Sequence, residues 1–342
     1  MTEIALEIND AGLLALTEAG PAGPASPGFA LLDGREIHVG ERARRAARLE
    51  PRFVSHRHWE RLDLDPVGRP FPRGATHADL VYAHLSRFWA ELVDALDQPT
   101  PTLSVLLVVP GSYAPEELGL LAGIARACEI PVVGMVDAAV AAVSSGWAEG
   151  PAAEAAPRSA LHLDLRQHRA VWSLVRAGER LRRSHVESLE GAGLARFQQA
   201  WLGAIAESFV RGTRFDPLHD GATEQVLFDR LPEWIGAAEA GGATTPVLDG
   251  GGQTRSVEVT AAELAAAAGA EIDLIVGAAR PLVEPPPREG LGPPPAPILA
   301  LAPARPAPAG PRAPRTPREG RPSQQAGPEA RPRPSRSRAP RR

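Results

Sequence analysis

The chain of 342 residues contains no lysine, so all 37 of its basic side chains are arginines. That absence excludes lysine chemistry, including Schiff bases and the lysines of phosphate-binding loops. It also bears the mark of a GC-rich coding sequence. A single cysteine, Cys128, excludes an intramolecular disulfide framework and a cysteine-clustered zinc site. No stretch approaches the roughly 18 uninterrupted apolar residues of a membrane span. The start, Met1-Thr2-Glu3-Ile4, has neither the basic residues nor the apolar run of a signal peptide. A soluble cytoplasmic protein is expected.

What is present divides by charge. From Glu284 onward, 59 residues hold 18 of the 36 prolines, with 12 arginines against 4 glutamates, a net +8. The whole chain carries −4, which leaves −12 on residues 1–283. Those residues are enough for a sizeable core, and the whole length suits about two domains.

The pattern along the chain alternates strands and helices. Residues 3–8 and 13–17 flank Asn9-Asp10-Ala11-Gly12 as a hairpin, and Gly20 to Gly28 reads as loop. Asp33-Gly34 turns a second short hairpin, and the arginine-rich stretch 40–49 reads as a short helix. Val81, Leu85, Phe88, Leu92 and Leu96 form a helical stripe, opened by a capping box of Thr76 and Asp79. Ser104 to Val109 is a continuous β-prone run ending at Pro110-Gly111, read as a buried strand. Pro115 opens the next helix, 131–135 is a strand, and 137–145 a short helix closed by Gly146. That order implies a right-handed parallel crossover. Residues 147–158 read as a linker. Beyond it, 161–165 and 171–175 flank a turn at 166–169, 179–188 is a third strand, and 193–211 an amphipathic helix. A helix at 224–235 is expected to break at Gly236 to Gly242. Strands surround Asp249-Gly250-Gly251-Gly252. Thr260 and Glu263 cap one helix to about Val283, with Leu264, Ala268, Ile272, Ile275 and Ala279 on its face.

This order resembles the actin-like ATPase plan. Residues 105–146, VLLVVPGSYAPEELGLLAGIARACEIPVVGMVDAAVAAVSSG, are similar to a segment of the nucleotide-binding domain of the seventy-kilodalton heat-shock chaperones, the DnaK family. Asp33-Gly34 through Gly40-Glu41-Arg42-Ala43 resembles that family's early Asp-Gly stretch. Glu190-Gly191-Ala192-Gly193 stands where the family has a Gly-Gly loop before a long helix. The resemblance implies an α/β, ribonuclease H-like, two-lobed fold. Its first lobe is 1–150, an incomplete second lobe 151–283, and a disordered Pro/Arg-rich tail 284–342.

The resemblance also assigns a nucleotide site: Asn9, Asp10 and Gly12 in the first phosphate loop, Asp164 before the second, Gly191 in the Gly-Gly loop before the long helix, and Asp137 as the water-orienting acid. The motifs themselves are degenerate. The first turn has lost its hydroxyl residues. The second reads Asp164-Leu165-Arg166-Gln167-His168-Arg169, without the three glycines that let backbone N–H groups approach phosphate. Glu60-Arg61 stands near the position of the family's lysine, and prolines 285–287 stand where its last glycine motif should begin. ATP with magnesium is therefore an alternative, with no cofactor the expectation.

Other residues have local readings beside functional ones. Asp164 is a magnesium-proximal carboxylate or a hairpin aspartate bonding its own turn; Asn9 and Asp10 suit a local turn as well. Asp137 reads as a helix cap ahead of a water-positioning acid. Asp249-Gly250-Gly251-Gly252 neither follows a buried strand nor opens a helix, against a displaced phosphate loop. His56-Arg57-His58 has no third ligand in sequence and reads as surface histidines. Ser55, Ser112 and Ser184 have no elbow motif. Cys128 reads as a buried apolar residue, and Phe197, Trp201 and Phe209 as core.

The tail is a charged extended segment able to bind acidic partners or nucleic acid nonspecifically, or a frameshift product. The function expected is a chaperone-like protein that kept the architecture and serves as a non-catalytic binding or scaffold protein, its client or partner unidentified. The alternatives are a divergent ATP-binding chaperone ATPase using Asp10, Asp137 and Asp164, a weak enzyme at most, and a bacterial actin-like assembly protein.

Overall fold

The first hairpin forms as its alternation demands. In the computed structural model, which describes residues 2–97, 99–148, 159–283 and 298–301, β1 (Thr2–Glu7) runs antiparallel to β2 (Gly12–Thr17), with Ala5 opposite Leu16. Ile4 and Leu6, two apart on β1, are both buried, as a strand's period of two requires. The stretch expected as loop is instead β3 (Gly20–Pro27), paired to β2. Its three prolines are tolerated because β3 is the outermost strand, so one side of it needs no donor. β4 (Ala30–Asp33) and β5 (Glu36–Val39) are the second hairpin. The arginine-rich stretch yields only one helical turn, α1 (Glu41–Arg44), before β6 (Val54–Ser55) joins β4.

Helix α2 (His77–Leu96) begins at the expected capping box: the Thr76 hydroxyl accepts the Asp79 N–H, and the Asp79 carboxylate accepts that of Thr76. Its stripe of Val81, Leu85, Phe88 and Leu92 packs on the first sheet. β7 (Leu103–Val109), α3 (Pro115–Ala127), β8 (Val132–Asp137) and α4 (Ala138–Ala148) follow. β7 lies parallel to both β1 and β8, giving the order β3-β2-β1-β7-β8. Val105 and Leu107 are fully buried, but Leu106 is 39% exposed. The strand is buried as read, with Leu106 its one exposed residue. Helix α4 also passes through Gly146, which was expected to close it. The rest of the expected linker lies outside the described residues.

A second sheet repeats the pattern. β9 (Ser159–Leu165), β10 (Arg169–Arg176) and β11 (Arg182–Glu190) are successive antiparallel strands. Then come α5 (Leu194–Thr213), α6 (Gly221–Gly241), β12 (Ala243–Thr244), β13 (Val247–Gly250), β14 (Gln253–Ser256), β15 (Val259–Thr260), α7 (Ala261–Ala267), α8 (Gly269–Val283) and β16 (Ile298–Leu301). β16 pairs parallel with β9, so the order is β11-β10-β9-β16, matching β3-β2-β1-β7 strand for strand.

Two expectations about helices change. α6 continues through Gly236 and ends at Gly242, whose φ of 80° closes it. The helix to Val283 is two helices, α7 and α8, parting at Ala268 and Gly269. Of its expected stripe, Ile272 is 45% exposed. Phe197 and Phe209 are buried, and Trp201 packs half-buried, its indole N–H donating to the Leu264 carbonyl at 3.1 Å. These aromatics are core, as read.

Candidate functional site

The topology brings the turn after β1, the turn after β9 and the start of α5 to one place. Asn9 shapes the first turn: its amide oxygen accepts the Ala11 N–H at 3.0 Å, and its carbonyl accepts that of Gly12. Gly12 has a φ of 151°, and a Cβ there would lie 2.6 Å from the Ser26 carbonyl oxygen, so its missing side chain admits β3. Gly28 does the same for the turn itself, where a Cβ would overlap the Asp10 carbonyl oxygen.

Asp10 is wholly buried, with 0% exposure. Its carboxylate accepts the backbone N–H of Gln167 at 2.8 Å and of His168 at 3.3 Å. The Arg166 Nε also donates to it, at 3.3 Å. Arg166, 1% exposed, reaches on to the Ser112 hydroxyl at 2.8 Å and lies over the Tyr113 ring. Burial works against its charge, but Asp10, Tyr113 and Asp164 together hold the guanidinium proton more tightly than usual. Tyr113 is buried, which pushes its phenol above the ordinary value, and it donates to the Trp59 carbonyl at 2.5 Å. Arg166 stands where the resembled loop has a glycine, and its side chain reaches the turn after β1 and the loop after β7.

The start of α5 is spoken for as well. The N–H groups of Leu194 and Ala195 donate to the carbonyls of Arg166 and Gln167 at 2.7 and 2.9 Å, and Gly191 donates to His168 at 2.8 Å. These amides, the natural anion cradle of a helix N-terminus, point at the protein's own turn. The glycine that the close approach requires is Gly193: a Cβ there would come within 2.6 Å of the backbone of 167–169. Gly191, singled out in the sequence, has open space beside it and a φ of 73° instead.

Asp137 does cap a helix. Its Oδ1 accepts the N–H groups of Ala139 and Val140 at 2.9 and 3.3 Å, while Oδ2 pairs with Arg183 at 3.0 Å. Arg183 also donates to the Gly111 carbonyl and so ties the second sheet to the loop after β7. Asp164 lies on β9 opposite Val171, half-buried, and adds its charge to the field on Arg166.

The histidines are not on the surface. His58 is fully buried, near His84, and His84 accepts the Trp59 indole N–H at 2.9 Å. His56 is half-buried and stacked on His168, their rings 4.8 Å apart and a nitrogen of each 2.9 Å from the other. Burial, with His168 and Arg57 nearby, pushes His56 down to about 4. Glu60, buried near the resembled lysine position, pairs with Arg57 at 3.0 Å and Arg169 at 3.2 Å. Among the described residues no group of three or more His, Cys, Asp or Glu side chains is arranged to hold a metal.

Arg166, Arg183, Gly28 and Gly193 are the residues that sequence reasoning missed. Gly193 carried a signal, as the second glycine of a Gly-x-Gly before a helix; Arg183 carried none. No protein-family model matches this chain, and a search of curated proteins found no match. Among the described residues no helix is long and apolar enough to cross a membrane.

Proposed function

We propose that this chain is an actin-like protein of the heat-shock-chaperone type whose nucleotide site is closed by its own side chains, and that it acts as a non-catalytic binding or scaffold protein. One observation carries the reading. The amides of Gln167 and His168, which in the resembled loop would face phosphate, are taken by the Asp10 carboxylate, with Arg166 as counter-charge. A carboxylate stands in for the anion. The repeated strand order of the two sheets supports the duplicated fold.

A magnesium triphosphate does not fit this arrangement. Asp10 is neutralised by Arg166, whose side chain fills space a glycine would leave open, and Asp137 is held by Arg183 and the α4 amides. Phosphate would have to displace a carboxylate bound by two amides and a guanidinium at contact distance. Calorimetric titration of the full chain with magnesium ATP and ADP tests this. No heat beyond dilution is expected, and no phosphate release. Micromolar binding accompanied by hydrolysis would restore the divergent ATPase.

A further inference from the structure

Helix α8 turns one face to the second sheet. Ile275 and Ala279 are buried on that face, and the Trp172 indole N–H of β10 donates to the Ile275 carbonyl at 2.8 Å. Glu271 is half-buried and pairs with Arg196 at 3.3 Å. The outward face of such a helix is ordinarily polar. Here Ile272, Val276 and Val283 are 45%, 52% and 42% exposed, and Leu274 on the far flank is 56% exposed. Two charges stand among them, Asp273 and Arg280. Both are exposed, and neither is in an ion pair among the described residues.

Asp273, Val276, Gly277 and Arg280 follow the spacing i, i+3, i+4, i+7, which places them on one helix face. The acid and the base are therefore two turns apart on a line that passes between Val276 and Gly277. Gly277 is a weak helix former at an interior position, and a Cβ there would meet nothing within 4 Å in one copy of the chain. Turned end for end about a two-fold axis between Val276 and Gly277, this face matches itself. Asp273 meets Arg280 of the second copy at one end, and Arg280 meets Asp273 of the second copy at the other. Val276 meets its own copy, Ile272 falls beside Val283 of the second copy, and Gly277 lets the two backbones approach. Other arrangements fail. Laid parallel, the helices set Asp273 on Asp273 and Arg280 on Arg280; an antiparallel axis at either residue sets like charges together.

We infer that the outward face of α8 is a self-association surface, on which a second copy of this chain lays its own α8 antiparallel. The contact is isologous, as closed dimers require. A basic partner would answer Asp273 and be repelled by Arg280, and an acidic one the reverse. A second copy supplies both charges in the order that the face needs, together with apolar side chains for those it leaves exposed. One helix from each copy makes a small interface, so the dimer is a weak and reversible one.

Sedimentation velocity on the full chain over a wide concentration range tests the inference. A monomer–dimer equilibrium is expected. Arg280→Asp sets carboxylate against carboxylate at both ends of the contact and should weaken the dimer about tenfold or more. Asp273→Arg with Arg280→Asp together should restore it, since the exchange rebuilds both pairs. Gly277→Glu should abolish it by placing two carboxylates across the axis. Its melting temperature should not fall, because the new side chain has open space in one copy and glutamate favours a helix more than glycine does. A chain monomeric throughout would overturn the inference, as would a dimer indifferent to Gly277→Glu. A double exchange that stays as weak as Arg280→Asp alone overturns it too.

Discussion

Acidification should unfold this protein well above the pH at which carboxylates protonate. His58 and His84 are fully buried; desolvation alone pushes His84 down to about 3, while His58 is lowered by burial and then by its histidine neighbours His84, His77 and His56. His56 sits at about 4. All three are neutral in the folded chain, whereas in the unfolded chain each titrates near 6.5. Between those values the unfolded state binds more protons, so stability rises with pH and is lost as pH falls below about 6.5. Each histidine contributes about 1.4 kcal/mol of loss at pH 5.5 and about 2 at pH 5. The three together remove about 4 and then about 6 kcal/mol, against the 5–15 kcal/mol of a typical domain. Urea denaturation at a series of pH values measures this, with tryptophan fluorescence as the signal. Trp59 is a local reporter, since its indole N–H donates to the Nδ1 that a proton would occupy. About 3.5 kcal/mol should disappear between pH 6 and pH 5. A loss under 1 kcal/mol over that interval would refute the claim that these rings are held neutral.

Two further substitutions probe the candidate site. Asp10→Ala leaves Arg166 buried without its counter-charge and should cost about 3–5 kcal/mol, while Asp10→Ala with Arg166→Leu should cost clearly less than the two single changes summed; additive losses in a denaturation series would mean that the pair is not coupled. Gly193→Ala should lower the melting temperature by several degrees, because its Cβ has only the backbone of 167–169 to push against. An unchanged melting temperature there would show that the turn yields easily.

Much of the fold was legible because the signals were local. The capping box at Thr76, the stripe of α2, the β7–α3–β8 crossover and the β9–β10 hairpin each rest on residues within a few positions of one another. What failed depended on distant context. Pro21, Pro24 and Pro27 read as loop because an edge strand is recognisable only once its neighbours are known. Gly236 lies inside α6 because Leu231, Trp234 and Ala238 on either side of it are buried in the core. The histidines read as surface because the partners that enclose them, His84 and His168, lie far along the chain. At the site, the loss of glycines from 166–169 was plain in the sequence. Its replacement by a contact to Asp10, 156 residues away, was not.

That contact changes what the turn can do, beyond removing room for a ligand. A buried ion pair is poor evidence of net stability, because desolvation offsets much of its attraction. Its stronger effect is to fix geometry: Asp10 satisfies two amides and a guanidinium at once, and no single displacement preserves all three bonds. Parting the β1 turn from the β9 turn would leave opposite charges uncompensated, at a cost of about 3–5 kcal/mol. A ligand driving that opening would need to favour the open state by roughly two to four powers of ten. Here the turns after β1 and β9 close on each other, which fixes the geometry between them.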